Sequence, residues 1–408
     1  MRVVIIGAGV AGCSIVRQLQ SAGYQTYLVD RQDGVAQETS SHSVALAHPH
    51  LTRKPARLQK FTRYANRMAY AQWHAHQKHQ GAFQPLEQED WVSRDVMLKK
   101  LQDLNFSKQE AIALDQEQAF ELVGVRRPGI FYPEAGIYDL KTICQESIKN
   151  LDPSKQIWRR SVQSIEQRDG RWFLIDNQGQ EFLNADAIVL ANGVAAKELL
   201  QSIDVKLHLR PVRGQLSRFE ISAQSIWKKY LPKYPLCGTA YCLPVQQISD
   251  SQLLWQIGST YDEGEVDLSQ RKSSDDFNRE QGRVLLTKDE LPLSDLNALE
   301  AFVGVRSVSG DRLPLIGPIP GKPGLFMAAA YGARGVLWSA VSPGLIERQI
   351  EAYFLGAAFL RAGFLAGALS SDESEFASAV APARFLAGAL TGRGSNSKPI
   401  LPSGCRAK

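Results

Sequence analysis

The sequence predicts an α/β fold, α+β overall, in which a parallel-sheet domain is discontinuous and is interrupted by a mainly antiparallel domain. The apolar run Val3–Ile6 leads into a glycine-rich turn and a helical pattern, as expected of a parallel strand buried on both faces. A second such run covers 187–191, and the pattern between 206 and 300 alternates as antiparallel strands do. With 408 residues the chain exceeds what one hydrophobic core usually serves, so at least two domains are expected.

The first turn contains Gly7, Gly9 and Gly12 in the G-x-G-x-x-G spacing. The first glycine permits a sharp turn, the second lets the backbone approach a pyrophosphate, and the third lets helix and strand pack closely. The predicted second strand, 25–29, ends at Asp30, where an acidic residue can accept hydrogen bonds from ribose hydroxyls. This unit predicts a Rossmann-like dinucleotide site without separating FAD from NAD.

The later elements follow from their periodicity. Helices are predicted over about 55–80, 138–150 and 274–287, strand pairs around 157–183, antiparallel strands near 213–219, 238–245 and 253–260, and a last strand and helix over 325–353. We assign 1–84, 141–205 and 301–355 to the nucleotide-binding domain and 85–140 and 206–300 to a substrate domain. Residues 356–408 are predicted to be a C-terminal extension, partly disordered, with a short near-repeat at 364–369 and 385–390.

The composition, 44% hydrophobic and 22% charged, is that of an ordinary globular protein. The net charge of +5 permits a polyanionic partner, although a solvated surface explains it as well.

The five cysteines lack zinc-type spacing, which favours free thiols in a reducing cytoplasm. The glycine pattern follows Val3 directly, without space for a leader, and no apolar run is long enough to span a bilayer. We therefore expect a cytoplasmic protein without membrane segment or metal, and interpret the histidines at 42, 48 and 50 as ordinary loop residues.

Several later segments carry a resemblance to known flavoproteins. They are Ala187–Gly193, Pro211–Ser217, Cys237–Pro244, Ile257–Tyr261, Gly304–Arg306, Gly310–Pro318 and Gly332–Val336. With these segments the chain resembles, over about residues 1–355, the D-amino-acid oxidase, glycine oxidase and sarcosine oxidase superfamily. Within it, the chain is similar to the FAD-dependent 5-carboxymethylaminomethyl-2-thiouridine oxidoreductase half of bifunctional tRNA wobble-uridine modification proteins. Two segments depart from it: Glu38–Val44 lacks the expected Ser-Gly-Asn, and Ala333–Val336 replaces Ser-Arg-Gly-Leu.

The resemblance implies FAD as cofactor and a set of residues that bind it. These are Gly7, Gly9, Gly12, Asp30, Arg31, Ser41, Asn192, Gly193, Arg306, Gly332, Arg334, Gly335 and Val336. The candidate catalytic residues are Arg306, Arg334, Tyr241 and Tyr261. A planar guanidinium matches a substrate carboxylate, which makes Arg306 the first candidate and Arg334 the second. Either arginine can instead pair with Asp311 or a backbone carbonyl, and the two tyrosines either line the pocket or pack in the core.

The resemblance further implies oxidation of the glycine-like arm of the wobble uridine in tRNA. This reaction would release glyoxylate and leave an aminomethyl group, with oxygen as electron acceptor and a separate methyltransferase acting next. A basic stripe on the helix predicted over 55–80 either contacts tRNA phosphates or is a solvated helix face; it comprises Arg53, Arg57, Lys60, Arg63 and Arg67, with Lys228, Lys229 and Lys233 in addition. One alternative is a small-molecule amine or amino-acid oxidase of the same superfamily. Another is a non-catalytic FAD-stabilised binding protein, and the nearly complete flavin elements argue against this last interpretation.

Overall fold

The structure of the protein, a computed structural model, describes residues 1–51, 56–87, 92–238, 240–286, 296–359 and 371–385. The strands of these residues are β1 (Arg2–Ile6), β2 (Gln25–Val29), β3 (Ala45–Ala47), β4 (Gln77–Pro85), β5 (Ile112–Leu114), β6 (Gly129–Tyr138), β7 (Gln156–Ile157), β8 (Val162–Arg168), β9 (Arg171–Asp176), β10 (Glu181–Ala185), β11 (Ala187–Leu190), β12 (Arg210–Ser222), β13 (Leu236–Cys237), β14 (Tyr241–Cys242), β15 (Gln246–Gln247), β16 (Gln252–Gly258), β17 (Asp262–Glu263), β18 (Asn297–Ala298), β19 (Phe302–Val308), β20 (Leu315–Pro318) and β21 (Leu325–Ala329). The helices are α1 (Val10–Ser21), α2 (Arg57–Trp73), α3 (Arg94–Asp103), α4 (Gln116–Val123), α5 (Leu140–Ile148), α6 (Ala196–Gln201), α7 (Lys272–Leu286), α8 (Gly335–Phe359) and α9 (Ser371–Val380).

A parallel sheet forms the centre of the first part of the molecule. Its strand order is β20-β21-β11-β1-β2-β7, with only the edge strand β20 antiparallel among these. Side chains alternate along β1, so Val3 and Ile5 join the core formed with α1, α5 and α8. Val4 and Ile6 join a second core, which contains Trp172 of the β8–β10 sheet and the buried face of α6. This two-sided burial explains the unbroken apolar run.

A larger, mainly antiparallel sheet contains the strands outside the parallel sheet and the β8–β10 sheet. The part of this sheet that contains Arg306 and Tyr241 is arranged around the long strand β12. Its first half pairs with β19, from Arg210 to Leu216, and its second half pairs with β16. The end of β16 then pairs with β14, where Gly258 lies opposite Tyr241. The register therefore brings β14, the end of β16 and β19 close together, although they are distant in sequence.

A buried polar network fixes the loop before α7 to β12. The side chain of Arg213 is fully buried, forms an ion pair with Asp262 at 2.9 Å and donates to two backbone carbonyls of the loop. The Asp275 carboxylate accepts from Gln215 at 2.7 Å and from Ser217 at 2.6 Å. Buried charges require such partners, since leaving one unpaired is costly. The network holds the segment that follows Gly258 in place.

The mixed α/β architecture is confirmed, but one predicted helix is too long. The helix predicted over 55–80 ends at Trp73, and β4 follows and pairs with β6. Gly81 has φ +90°, which an α-helix does not accommodate, and Phe83 is buried in the antiparallel sheet. Strands β4 and β19 both pair within this sheet, although the predicted boundaries at 84 and 301 place them in the nucleotide-binding domain. The domain boundaries stay predictions.

Residues 371–385 pack back onto the molecule. Phe376 of α9 is buried in the core beside α8, and Arg384 binds the Asp311 carboxylate at 2.8 and 3.0 Å. The near-repeat at 364–369, nearly all of 385–390, Arg53 and Cys405 lie outside the described residues. Within the described ranges no helix is long and apolar enough to cross a bilayer, and no group of three potential metal ligands is present.

Candidate active site

The glycine turn after β1 is closely packed against its neighbours. Gly7 has φ +108°, and a Cβ added to it would lie 2.6 Å from the carbonyl oxygen of Ala191. A Cβ at Gly12 would collide with the carbonyl oxygen of Gly7. Gly9 is the N-cap of α1 and contributes no side-chain hydrogen bond. Backbone amides therefore dominate the start of α1, and this end of the helix is suited to binding a phosphate.

Asp30 supports this turn from the end of β2. One carboxylate oxygen accepts from the Ala8 amide at 2.6 Å, and the other accepts from the Gln32 amide at 2.8 Å. Burial raises the pKa of Asp30, whereas the bond from Ala8 opposes that shift. The contact with Ala8 is one that the sequence did not predict, and the ribose contact stays a prediction.

The segment that follows β2 contains two further predicted FAD residues. Arg31 is exposed and forms a hydrogen bond with Glu38 at 2.7 Å. Ser41 closes the short 3-10 turn Thr39–Ser41. Its neighbour Ser40, which the sequence analysis did not select, accepts a hydrogen bond from the Val10 amide at 3.1 Å. This turn therefore touches the start of α1, and the roles of Arg31 and Ser41 stay predictions.

Several other predicted FAD residues lie at the same edge of the parallel sheet. Asn192 follows β11, next to Gly7, and its buried Oδ1 has no hydrogen-bond partner among the described residues. Gly193 has φ +60° and Gly332 has φ +55°, conformations that favour glycine. A Cβ at Gly335 would contact Val10, so α8 begins beside the start of α1. Two helix N-termini, a closed glycine turn and an unpartnered amide oxygen fit a dinucleotide at this edge.

Arg306 lies on β19 against β12. Its guanidinium covers Gly214, where an added Cβ would lie 2.5 Å from Cζ. Nη1 donates to the carbonyl oxygen of Thr260 at 3.2 Å, and Nη2 donates to the hydroxyl of Ser259. Burial lowers the pKa of Arg306, and in the described part of the chain no carboxylate forms an ion pair with it. Of the two alternative partners, Asp311 binds Arg384 and not Arg306, whereas a backbone carbonyl, that of Thr260, does accept from Arg306.

Tyr241 contacts a residue that the sequence analysis interpreted as an ordinary loop histidine. The Tyr241 hydroxyl lies 2.8 Å from Nε2 of His42, and the Val44 amide donates to Nδ1. Because Nδ1 accepts, we assign the proton of the neutral ring to Nε2, which donates to Tyr241. Burial, followed by the charge of Arg306, lowers the pKa of His42 to about 3. The Tyr241 oxygen thus accepts from His42, and its own O–H is left to donate elsewhere.

Tyr261 and Arg334 complete the candidate site. The Tyr261 side chain is 43% exposed, and its ring centroid lies 5.9 Å from Cζ of Arg306 and 5.8 Å from Cζ of Arg312. Burial lowers the pKa of Arg334, and the charge of Arg312 lowers it further. Three arginines therefore share this region, and within the described ranges none of them has an ion pair. Tyr261 is not a core residue.

The basic stripe predicted to contact tRNA is largely occupied by partners in its own chain. Arg63 binds Glu110 at 2.7 Å and packs on Phe106 at 4.2 Å, while Arg67 lies 3.9 Å from Glu110. Lys60 forms an ion pair with Glu375 of α9 at 2.6 Å. These contacts favour a structural role for this face of α2.

Comparison with known proteins agrees with this geometry. A family model described as FAD dependent oxidoreductase, DAO, matches residues 2–346. The chain is 30% identical over 420 residues to the tRNA 5-methylaminomethyl-2-thiouridine biosynthesis bifunctional protein MnmC of Ralstonia nicotianae, covering 95% of this chain and 60% of that protein. The chain thus spans about 60% of the length of the curated relatives that it matches.

Solved structures show the same fold at low identity. Glycine oxidase from Geobacillus kaustophilus has a TM-score of 0.69 at 18% identity, covering 86% of this chain and 95% of that chain. L-proline dehydrogenase from P. horikoshii has a TM-score of 0.70 at 16% identity, covering 95% of this chain and 98% of that chain. The match over 2–346 confirms the predictions of fold, cofactor and enzyme class: the chain belongs to the DAO family of FAD-dependent oxidoreductases.

Proposed function

We propose that the protein oxidises the carboxymethylaminomethyl arm of the wobble uridine in tRNA, giving aminomethyl-uridine and glyoxylate. The observation that carries this proposal is the guanidinium of Arg306, which is partly buried, donates to the neutral oxygens of Thr260 and Ser259 and forms no ion pair among the described residues. A partly buried cation without an ion-pair partner is suited to a substrate carboxylate. The names of the relatives that align with 95% and 96% of this chain support tRNA as the carrier of that group.

The reaction balances without an acid or base of unusual pKa. When bound, FAD would accept a hydride from the methylene carbon between the neutral amine and the carboxylate, and water would hydrolyse the resulting imine to glyoxylate and a primary amine. The chain itself must hold the cofactor and orient that carbon, because near-attack geometry supplies much of the rate. We propose that the Gly7–Gly12 turn, Asp30 and Asn192 hold the dinucleotide, and that the residues at the start of α8 face the flavin.

Four side chains would orient the substrate. Arg306 binds the carboxylate through its two terminal nitrogens, since a planar fork matches a carboxylate in shape and charge. The Tyr241 hydroxyl, fixed by His42, donates a hydrogen bond into the site. Tyr261 and Arg334 border the same region, and Arg334 adds positive charge to it. The positive potential favours an anionic substrate before any contact forms.

The second candidate is oxidation of a small amino acid, because a free glycine carboxylate would satisfy Arg306 equally. Purified holoenzyme is mixed under anaerobic conditions with tRNA bearing the carboxymethylaminomethyl group, with glycine, with sarcosine and with D-alanine, and flavin bleaching is followed. We expect reduction by the tRNA at least tenfold faster than by the amino acids. Equal or faster reduction by a free amino acid would refute the tRNA assignment. Mass analysis of the wobble nucleosides then identifies the product.

Arg306→Ala tests the carboxylate site. We expect the variant to keep its yellow FAD and to lose about 10²-fold or more in turnover, since two charge-assisted hydrogen bonds disappear. Arg168→Ala is the matched control, because that exposed guanidinium binds Glu181 on the β8–β10 sheet at 2.6 Å and should be replaceable. Wild-type turnover in Arg306→Ala would remove this residue from the site.

The product implies a further step and a compartment. We propose that a methyltransferase acts next on the aminomethyl group, as the bifunctional relatives suggest, and that the reaction takes place in the cytoplasm, where tRNA is modified. Incubating the oxidised tRNA with a methyl donor and this chain alone tests the first point. Methylation by the chain alone would contradict the need for a second catalyst.

A further inference from the structure

We propose that Tyr261 and Arg312 form a nucleotide-binding platform at the mouth of the candidate site. An unstacked base of the RNA substrate stacks on the Tyr261 ring, while Arg312 binds a neighbouring phosphate. This inference rests on the proposed tRNA substrate and names the part of the surface that meets the nucleic acid. On α2, by contrast, Lys60, Arg63 and Arg67 have acidic partners in their own chain.

The exposure of Tyr261 is the first observation. Its side chain is 43% exposed, although the rest of the site is partly or fully buried. Cζ of Arg306 lies 5.9 Å from the ring centroid and Cζ of Arg312 lies 5.8 Å from it. Exposed aromatic rings next to arginines are the usual surface on which proteins stack single-stranded bases.

The surplus of positive charge is the second observation. Arg306 and Arg334 already serve the proposed substrate and cofactor, yet Arg312 adds a further charge, and none of the three has an ion pair in the described part of the chain. The adjacent carboxylate of Asp311 does not neutralise them, because it binds Arg384, the Ser309 hydroxyl and the Leu313 amide. Clustered positive charges attract an anion, and a phosphodiester is one that can bind in addition to the carboxylate.

The backbone of Arg312 is the third observation. Arg312 has φ +63°, in the left-handed region that glycine adopts freely and that side chains with a Cβ disfavour. The side chain is exposed and makes no hydrogen bond within the described ranges, so packing does not explain an arginine there. A strained backbone conformation that no local side-chain contact compensates points to a function for the side chain.

Arg312→Gly tests the platform, because it removes the guanidinium and also removes the strain of the left-handed backbone at this position. The holoenzyme and the variant are compared with modified tRNA and with the free 5-carboxymethylaminomethyl-uridine nucleoside, which has no phosphate. We expect the ratio of kcat/KM for tRNA to kcat/KM for the nucleoside to fall about tenfold at 0.1 M salt. The slope of log affinity for tRNA against log salt should decrease by about one.

Two controls make the result decisive. Lys149→Ala removes one exposed charge at the C-terminal end of α5, where the lysine forms an ion pair with Glu146 at 2.8 Å, and should leave the ratio at the wild-type value. Tyr261→Leu should weaken tRNA binding about fivefold or more without changing the salt slope. A wild-type ratio and slope in Arg312→Gly would overturn the platform. If wild-type enzyme oxidises neither tRNA nor nucleoside, the proposed function itself is refuted.

Discussion

Gly214→Ala tests how the antiparallel sheet positions Arg306. The added methyl carbon would lie 2.5 Å from Cζ of Arg306, whereas carbon atoms in contact are separated by about 3.5–4.0 Å. The guanidinium must therefore move by about 1 Å or more. A displacement of that size in a substrate-positioning group costs about 10²-fold in rate, or about 2.7 kcal/mol of transition-state stabilisation.

The fold should tolerate this change. Gly214 lies in a regular strand opposite Gly304, without a left-handed backbone, and the atoms in its way are the end of a flexible side chain. FAD content and Tm should therefore remain near wild type, while kcat/KM for the amine substrate falls. Stopped-flow flavin reduction and thermal unfolding measure both quantities in parallel.

Gly344→Ala in α8 is the matched control, because a Cβ there meets no atom within 4 Å. We expect it to retain wild-type kcat/KM and to be neutral or slightly stabilising. If Gly214→Ala has wild-type kcat/KM as well, the argument that this glycine fixes the guanidinium is incorrect.

Three further predictions concern the cofactor turn, acid stability and the C-terminal segment. Gly7→Ala should abolish FAD binding, since its Cβ would collide with backbone atoms at φ +108°; retention of stoichiometric flavin, read from the absorbance spectrum, would contradict this. The pKa of His42 is lowered from 6.5 to about 3 in the folded protein. Between these two pH values the unfolded chain therefore binds one more proton at this histidine than the folded chain does. The free energy of unfolding should decrease as the pH falls from 6.5 to 3, by up to about 1.4 kcal/mol per pH unit. Urea unfolding of wild type and His42→Gln measures it: the variant should have the shallower pH slope, and equal slopes would exclude the histidine as a cause. Arg384→Gln should lower stability by about 1 kcal/mol and speed proteolysis after 371, because it removes the bidentate pair with Asp311; unchanged cleavage would show that this pair does not hold the segment.

The amino-acid sequence determined the features that depend on short spacing. The G-x-G-x-x-G turn, the acid at the end of β2 and the buried run of β1 each lie within about thirty residues, and their geometry follows from backbone sterics and one βαβ unit. The fold class and a dinucleotide site could therefore be predicted, whereas FAD was implied by the resemblance of the later segments to flavoproteins. The helix over 55–80 was predicted too long because its periodic pattern continues past Trp73, and pairing of β4 with β6 overrode that pattern.

Only the tertiary structure decided which distant residues meet. His42 and Tyr241 are 199 residues apart, and Asp311 and Arg384 are 73 apart. Gly214 meets Arg306 because β12 and β19 pair in one register, and a shift of one residue would turn every side chain to the other face. Such contacts depend on the pairing of whole strands, which no local pattern in the sequence specifies.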